Sequence, residues 1–582
     1  MAAEISTITA IPEDVREDLP TPSLAHSQTQ TPSQAFALAS KSTPAPQLYE
    51  NGINDEEKNK GGIGKDVVSH LDFKLSTTGR LIFFALAVLT LMVSLDGTSI
   101  SVALPRMATD LDGTAMQAFW SGTSFLLCST VFQPSTATFS DIFGRRPIIL
   151  TSIAFFFVGA LVAGTANNFT QILVGRCIQG VGGGGIAVLA EVVVTDLVPL
   201  RLRGNYYGIL SAMYSLGSVL GPILGGGFAE NVTWRWIFYI NFPFIAIGAL
   251  LVLLFFRLEK APGSLREKLQ KIDYIGTPLF VGSISSFFIP LTWGGVMYDW
   301  TSWRTLVPLC IGAAGLLSFI LYSIKASNPM IPHSIFGNRS AAVAFATSSL
   351  QGLILWGALY YLPLYYQAVH GFGPILTGVA LFPQTFTVAP AAIICGIIVT
   401  ITGRYRWGLW FGWTLSILGL GLLCLLRPET KTVQWIFLNL PSGIGLGLLT
   451  AAIVCTVQAS ATNKNLTVAV AMVVFFRAFG QAIGIGLGGV IFQNCMRREL
   501  SKYPTWSPRA GELSRDAAAL VTVIQGMEKS PAKDDLRTAY TDSLRVIWAF
   551  MAGVAGVGLL LSVLVKKYDL NRALVTEQGL RR

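Results

Sequence analysis

A chain of 582 residues that is 52% hydrophobic and only 13% charged, with a mean hydropathy of +0.56, is too apolar for a soluble protein of several domains and describes a polytopic membrane protein. Its net charge of +10 does not call for nucleic acid as a partner, because basic residues collect in the cytoplasmic loops of membrane proteins. The seven cysteines form no Cys-x-x-Cys pair, six of them fall inside apolar runs and the four histidines are scattered, a pattern that excludes a disulfide framework, a zinc site and a metal cluster.

Residues 1–77 are rich in Ser, Thr, Pro, Gln and Glu and lack apolar periodicity, as a disordered tail does. No cleavable signal precedes the first apolar run at Leu81, so that run should act as an uncleaved span that leaves the tail in the cytosol. Fourteen apolar runs follow, at 81–102, 117–138, 147–165, 171–192, 205–228, 236–256, 274–294, 304–324, 341–363, 374–400, 407–426, 433–456, 467–492 and 545–565. Each is near the roughly twenty residues that cross a hydrocarbon core of about 30 Å. An even number puts both termini on one side. The short loops on the tail's side carry fourteen basic residues, Arg145, Arg146, Arg201, Arg203, Arg257, Lys260, Arg266, Lys268, Lys271, Lys325, Arg339, Arg404, Arg406 and Lys464. Five (Arg106, Arg235, Arg304, Arg427 and Lys431) lie opposite, so both termini are expected in the cytoplasm. The basic segment 493–543 then falls outside, which the rule allows because long loops cross largely regardless of charge. Within it, Ala510 to Met527 has the pattern of a short amphipathic helix, and Asn231-Val232-Thr233, between the fifth and sixth runs, is an outward-facing glycosylation acceptor sequence.

The chain repeats. A shift of 263 residues superposes Gly217, Gly221, Gly225 and Gly226 on Gly480, Gly484, Gly488 and Gly489, and without a gap it superposes Gly180, Gly182 and Gly184 on Gly443, Gly445 and Gly447. Two helices matching at one offset argue for duplication, hence an all-α membrane protein of two six-helix bundles plus two inserted spans. The expected divisions are the tail 1–77, an N-terminal bundle 78–257, the inserted pair with its linkers 258–340, a C-terminal bundle 341–565 that includes the extracellular loop 493–543, and a cytoplasmic end 566–582.

Gly217, Gly221 and Gly225 fall four apart, so on a helix they line one face and admit a second backbone. Pro222 withholds a hydrogen bond from the carbonyl of Ser218 and crowds that turn, which sets a bend against a neighbouring helix. The four-glycine run 182–185 likewise needs a backbone against it. Charges inside the spans reduce to Asp96, Arg176, Glu191 and Arg477, each a functional candidate because burying a charge in lipid costs at least about 2.5 kcal/mol. At the helical rise, Asp96 lies roughly 24 Å in from the cytoplasmic edge and Arg176 roughly 8 Å in from outside, so the two share a depth. A carboxylate that exchanges a proton beside a guanidinium that stays charged makes a proton-coupling unit; a fixed ion pair is the other reading. The shift carries Arg176 onto Asn439, which assigns proton handling to the first half. Arg477, near the midplane, has no acid in its own span and three roles stay open: holding a carbonyl, lining the cavity or meeting an anionic substrate.

These stretches resemble the major facilitator superfamily, within it the fourteen-span drug:proton antiporters, and among those the fungal toxin-efflux members, over residues 80–565. The resemblance rests on Leu95-Asp96-Gly97-Thr98-Ser99-Ile100-Ser101-Val102-Ala103-Leu104-Pro105 in the first span and Asp141-Ile142-Phe143-Gly144-Arg145-Arg146 in the loop after the second. It rests further on Arg176 with Gln179, Gly180 and glycines 182–185, on Gly217 to Gly226, on Trp234 to Pro243 and on Leu362 to Gln367. The loop motif departs from the usual pattern at Ala137 and Ile142. The resemblance implies that Gly217, Gly221, Pro222, Gly225 and Gly226 mark an antiporter. It also implies that Asp141, Gly144, Arg145 and Arg146, with Asp196 in reach, form an ion-paired cytoplasmic latch of the outward-facing state. Asp141 gains nothing from the positive-inside rule, which favours the latch over mere topology residues.

The resulting expectation is a proton antiporter that exports amphipathic small molecules from the plasma membrane by alternating access, driven by the proton gradient, with no cofactor and no enzymatic chemistry, as a monomer. A vacuolar location is the alternative. The cavity should draw on Trp120, Phe125, Gln179, Trp356, Tyr360, Phe475 and Arg477. The rivals are a siderophore or basic amino-acid carrier of the same fold, against which the span-five motif counts, and a non-transporting membrane sensor, which a large cytoplasmic domain would favour.

Overall fold

Apolar runs of this length can satisfy their backbone groups inside a bilayer only as helices or closed barrels, and the computed structural model is helical throughout. It describes residues 73, 75–113, 115–259, 261–294, 297–462, 465–514 and 517–571, among which β structure is confined to isolated bridge residues, including the bridge between Gly294 and Tyr298. The tail expected at 1–77 and the end expected at 566–582 thus fall largely outside the described residues, as do Lys260 and Lys464.

The long helices are α1 (Thr77–Asp110), α2 (Ala115–Phe143), α3 (Arg145–Gly164), α4 (Phe169–Leu197), α5 (Arg203–Asn231), α6 (Asn241–Phe255), α7 (Gly276–Trp293), α8 (Trp303–Lys325), α9 (Arg339–His370), α10 (Phe382–Thr402), α11 (Arg406–Leu423), α12 (Thr432–Ser460), α13 (Leu466–Leu500) and α14 (Pro531–Val563). Short turns, Trp236–Tyr239 and Pro374–Ala380, precede α6 and α10. Side-chain caps fix several starts: Ser76 accepts from the Gly79 amide at 3.1 Å and Asn168 from that of Gln171 at 2.8 Å. Eleven helices among the described residues are long and apolar enough to cross a membrane, and α2, α7 and α11 lie outside that set. In α2 the cause is a hydroxyl or amide every few residues, from Ser121 and Thr123 to Gln133 and Thr138.

One expectation needs correction. The segment 493–543 is not mainly a loop, because α13 continues to Leu500 and α14 begins at Pro531, where a proline at the first helical turn and Ser530 as its cap start the helix. Two short helices, Ala510–Leu513 and Ala517–Gly526, stand where one was expected.

The glycines set the packing. A Cβ on Gly217 would lie 2.6 Å from the Leu91 carbonyl oxygen, one on Gly221 2.0 Å from Thr98 Oγ1 and one on Gly225 2.1 Å from the Ser99 carbonyl oxygen. Thus α5 rides directly on the backbone of α1, while Gly226, with Val102 3.6 Å away, has room for a methyl group. Gly480 and Gly484 do the same on α9, at 1.8 Å from the Ser349 carbonyl oxygen and 2.3 Å from that of Leu353. In α4, Gly180 and Gly184 press on α2 while Gly182 and Gly185 press on α3. Their counterparts in α12 repeat the arrangement, with Gly443 and Gly447 on α10 and Gly445 on α11. Without a hydrophobic drive between helices in lipid, such close backbone approach is what holds them. α5 runs through Pro222 without interruption, and hydroxyls of α1 brace the turn before it: Ser94 donates to the Tyr214 carbonyl at 2.6 Å and meets Ser218 Oγ at 2.8 Å.

Candidate functional site

The glycine contact that seats Leu95 against Gly221 turns the next residue, Asp96, away from α5 and towards α4. There its Oδ2 accepts from Arg176 Nη1 at 2.6 Å, and its Oδ1 accepts from Gln179 Nε2 and Asn241 Nδ2, both at 2.8 Å. Arg176 also donates from Nε to the Ser121 carbonyl at 3.0 Å and from Nη1 to Gln179 Oε1 at 2.8 Å, with its guanidinium 4.3 Å from the Phe125 ring centre. Asp96, Arg176, Gln179 and Asn241 are all fully buried. Phe125 and Gln179, expected on the cavity wall, are instead the packing and hydrogen-bonding shell of this pair.

Asn241 enters through the segment Trp234 to Pro243. Trp234 Nε1 donates to Asp110 Oδ2 at 3.1 Å, Arg235 to the Ala166 carbonyl at 2.7 Å and Tyr239 to the Gly164 carbonyl at 2.8 Å. These bonds tie the start of α6 to the ends of α1 and α3 and so hold the Asn241 amide on the carboxylate. Within Trp234 to Pro243, Asn241 is an amide in an otherwise apolar run, and that is the mark the sequence carries of this role. Removing two ions from water costs several kcal/mol each, and apolar side chains of the same volume often serve stability as well. The second half shows such a replacement. Beside Leu353, which meets Gly484 as Leu95 meets Gly221, stands the apolar Ile354, and Asn439 donates to Tyr366 Oη at 2.9 Å.

At the arginine-rich end, the turn at Gly144, with φ at 103°, separates α2 from α3 and starts α3 on Arg145. Arg145 donates to Asp141 Oδ1 at 2.6 Å, Ser140 Oγ at 2.7 Å and Asp196 Oδ2 at 2.9 Å, and reaches Thr467 Oγ1 on α13 at 2.9 Å. Further bonds cross between the halves here: Gln458 Nε2 donates to Tyr207 Oη at 2.6 Å and Arg201 Nε to the Thr400 carbonyl at 2.7 Å. Gly204 packs against Gly396, its Cβ position 2.9 Å from the Gly396 Cα. Asp141, Gly144, Arg145 and Asp196 thus come together. Arg146 does not join them, donating instead to the Leu253 carbonyl at 2.7 Å.

Arg477 finds its acid in the other half: Nη1 stands 3.4 Å from Glu191 Oε1 of α4. Tyr214 of α5 stands within electrostatic reach of Arg477 and close to Trp356 of α9, and the Arg477–Glu191 pair itself lies on the seam between the halves. Tyr360 is half-buried one turn along from Trp356. Two other aromatic candidates face α7 instead: Trp120 is 6.1 Å from Trp293, and the buried Phe475 is 5.5 Å from Phe280. The inserted helix supplied partners that the repeat pattern could not reveal. Asn231 is exposed at the end of α5, its Nδ2 donating to the Gly227 carbonyl at 3.1 Å.

Two helical halves joined by a hydrogen-bonded seam, with ion pairs sealed among their membrane-spanning helices, define a secondary transporter. The chain belongs to the Major Facilitator Superfamily, whose family model matches residues 86–485. It is 51% identical to the MFS transporter L2 of Phoma sp. over 86% of this chain and 84% of that protein. It is 35% identical to the MFS-type efflux pump LUC4 of Fusarium sp. over 86% of this chain and 90% of that one. Among solved structures it resembles the proton:xylose symporter XylE, at a TM-score of 0.51 and 13% identity, over 76% of this chain and 94% of the other. That likeness concerns the fold alone.

Proposed function

We propose that this transporter is a proton antiporter that exports amphipathic organic molecules, of the kind of toxins, secondary metabolites or drugs, from the plasma membrane by alternating access. It works as a monomer on the proton gradient, with no bound cofactor. The observation that carries the reading is the sealed Asp96, held by Arg176, Gln179 and Asn241 in one half and replaced by an apolar residue in the other. Relatives named as efflux pumps support export. Glu191 adds a second acid at the seam, but Arg477 neutralises it, so the cavity offers no net negative charge to select a cationic siderophore or amino acid.

In this reading α2, α7 and α11 also cross, making fourteen spans in two bundles with an inserted pair and both termini in the cytoplasm. Epitopes placed at Lys60 and beside Gly526 should then label on opposite faces of the membrane, and labelling on one face would refute the topology. The Arg145 cluster is the cytoplasmic latch, closed in this conformation. For transport itself, inside-out vesicles with an acidic lumen should accumulate amphipathic dyes, and nigericin with potassium should abolish the accumulation. Uptake that persists without the gradient would overturn proton coupling, and a lack of uptake across a dye panel would overturn export.

A further inference from the structure

The ion pairs of Arg176, Arg145 and Arg477 differ in how completely they are used. Arg176 and Arg145 meet their acids at 2.6 to 2.9 Å, and Arg176 leaves one nitrogen, Nη2, without a partner among the described residues. Arg477 touches Glu191 once, at 3.4 Å, while among the described residues its Nε and Nη2 and the second oxygen of Glu191 have no hydrogen-bond partner. A guanidinium has five N–H donors in a rigid fork, and its Nε and Nη2 together form the side-on edge that takes a carboxylate through two parallel bonds. No side chain or carbonyl of the described residues takes that edge. Buried donors without partners are costly, so a site that keeps them is set for a ligand or is strained for another purpose. The surroundings match a ligand of mixed character, because Tyr214 stands within electrostatic reach of the guanidinium and the indole of Trp356 lies beside the Tyr214 hydroxyl.

We infer that Arg477 is an anion-binding subsite of the transport cavity and that the exported cargo is an amphipathic organic acid, its carboxylate taking the Nε and Nη2 edge and its apolar body lying against Trp356. Glu191 keeps Nη1 and neutralises the guanidinium when no cargo is present. With cargo bound, two carboxylates share one guanidinium on different edges, and Glu191 weakens the site by like-charge repulsion. Its role is therefore opposite in sign to that of Arg477. The pair spans α4 and α13, so a carboxylate drawn to Arg477 also loosens one tie between the halves. This inference rests on the export reading above.

The test compares a dansyl-labelled undecanoic acid with its methyl ester, binding each to the purified full-length transporter in nanodiscs at one pH, with no gradient. The wild type should bind the acid more tightly than the ester by roughly tenfold or more, the factor carried by one or two charge-assisted hydrogen bonds. Arg477→Gln should bring the acid-to-ester ratio near one, and Arg477→Lys, which keeps the charge but not the fork, should lower it several-fold. Glu191→Gln should raise it. A wild-type ratio near one, a ratio that survives either Arg477 change, or a fall with Glu191→Gln would overturn the subsite and leave Arg477 as a strut between the halves. If Arg477→Gln fails to fold, the lysine variant and Glu191→Gln still decide. Failure of the export reading shows separately: acid that binds with the expected ratio but is not moved into inside-out vesicles would leave the subsite standing and remove efflux.

Discussion

Asp96→Asn should abolish export driven by a pH gradient while exchange of cargo against cargo at equal pH survives. The amide resembles the protonated carboxyl in size and neutrality, so the variant is held in one state of the proposed proton cycle. The surroundings can receive it. Its oxygen can face Arg176, and its amino group can face Asn241, whose Oδ1 has no partner among the described residues and accepts after a half-turn of the amide that gives up its bond to the Ile237 carbonyl, while Gln179 Nε2 loses its acceptor. Arg176 then stays held by the Ser121 carbonyl, Gln179 and the face of Phe125. Loss of the titrating group should lower gradient-driven transport at least about a hundredfold, the scale on which removal of a positioned proton carrier acts. A purely structural pair behaves otherwise: breaking it should cost about 3 to 5 kcal/mol and damage folding, exchange and driven export together. Both modes measured in proteoliposomes separate the two, and equal loss would remove Asp96 from the coupling role.

Arg145→Ala should open the latch. Arg145 is nearly buried and joins Asp141, Asp196, Ser140 and Thr467, so its removal takes the Arg145 guanidinium from Asp196, itself 8% exposed in its side chain. It also deletes a tie between α3 and α13. A loss of about 3 kcal/mol from the closed state corresponds to more than a hundredfold shift in the balance of states. Val468, 8% exposed beside Thr467, reports on it. In a background free of the seven native cysteines, labelling of Val468→Cys by an impermeant maleimide from the cytoplasmic face should accelerate at least about tenfold in the Arg145→Ala protein. Arg145→Lys should fall between, since one ammonium cannot hold all four partners in the arginine's geometry. An unchanged labelling rate would show that Gln458, Tyr207 and the Gly204–Gly396 contact close this end without Arg145.

The sequence by itself determined that the chain is a helical membrane protein, which faces of the helices meet and which half carries the buried charge pair. The reason is local: a run of apolar residues in lipid must be helical, glycines four apart leave a groove only a backbone can fill, and a charge inside such a run is rare enough to be noticed singly. Asp96 and Arg176 could be matched because helical rise converts residue number into depth. Depth carries no azimuth, however, and tertiary structure supplied it. It alone decided that Asn241 closes the shell around Asp96, that Arg145 rather than Arg146 gathers the acids, that Phe475 faces the inserted helix α7, and that Arg477 meets Glu191 from the opposite half. Each of those contacts joins residues far apart in the chain, and which of many side chains at one depth face each other is set only when the helices pack.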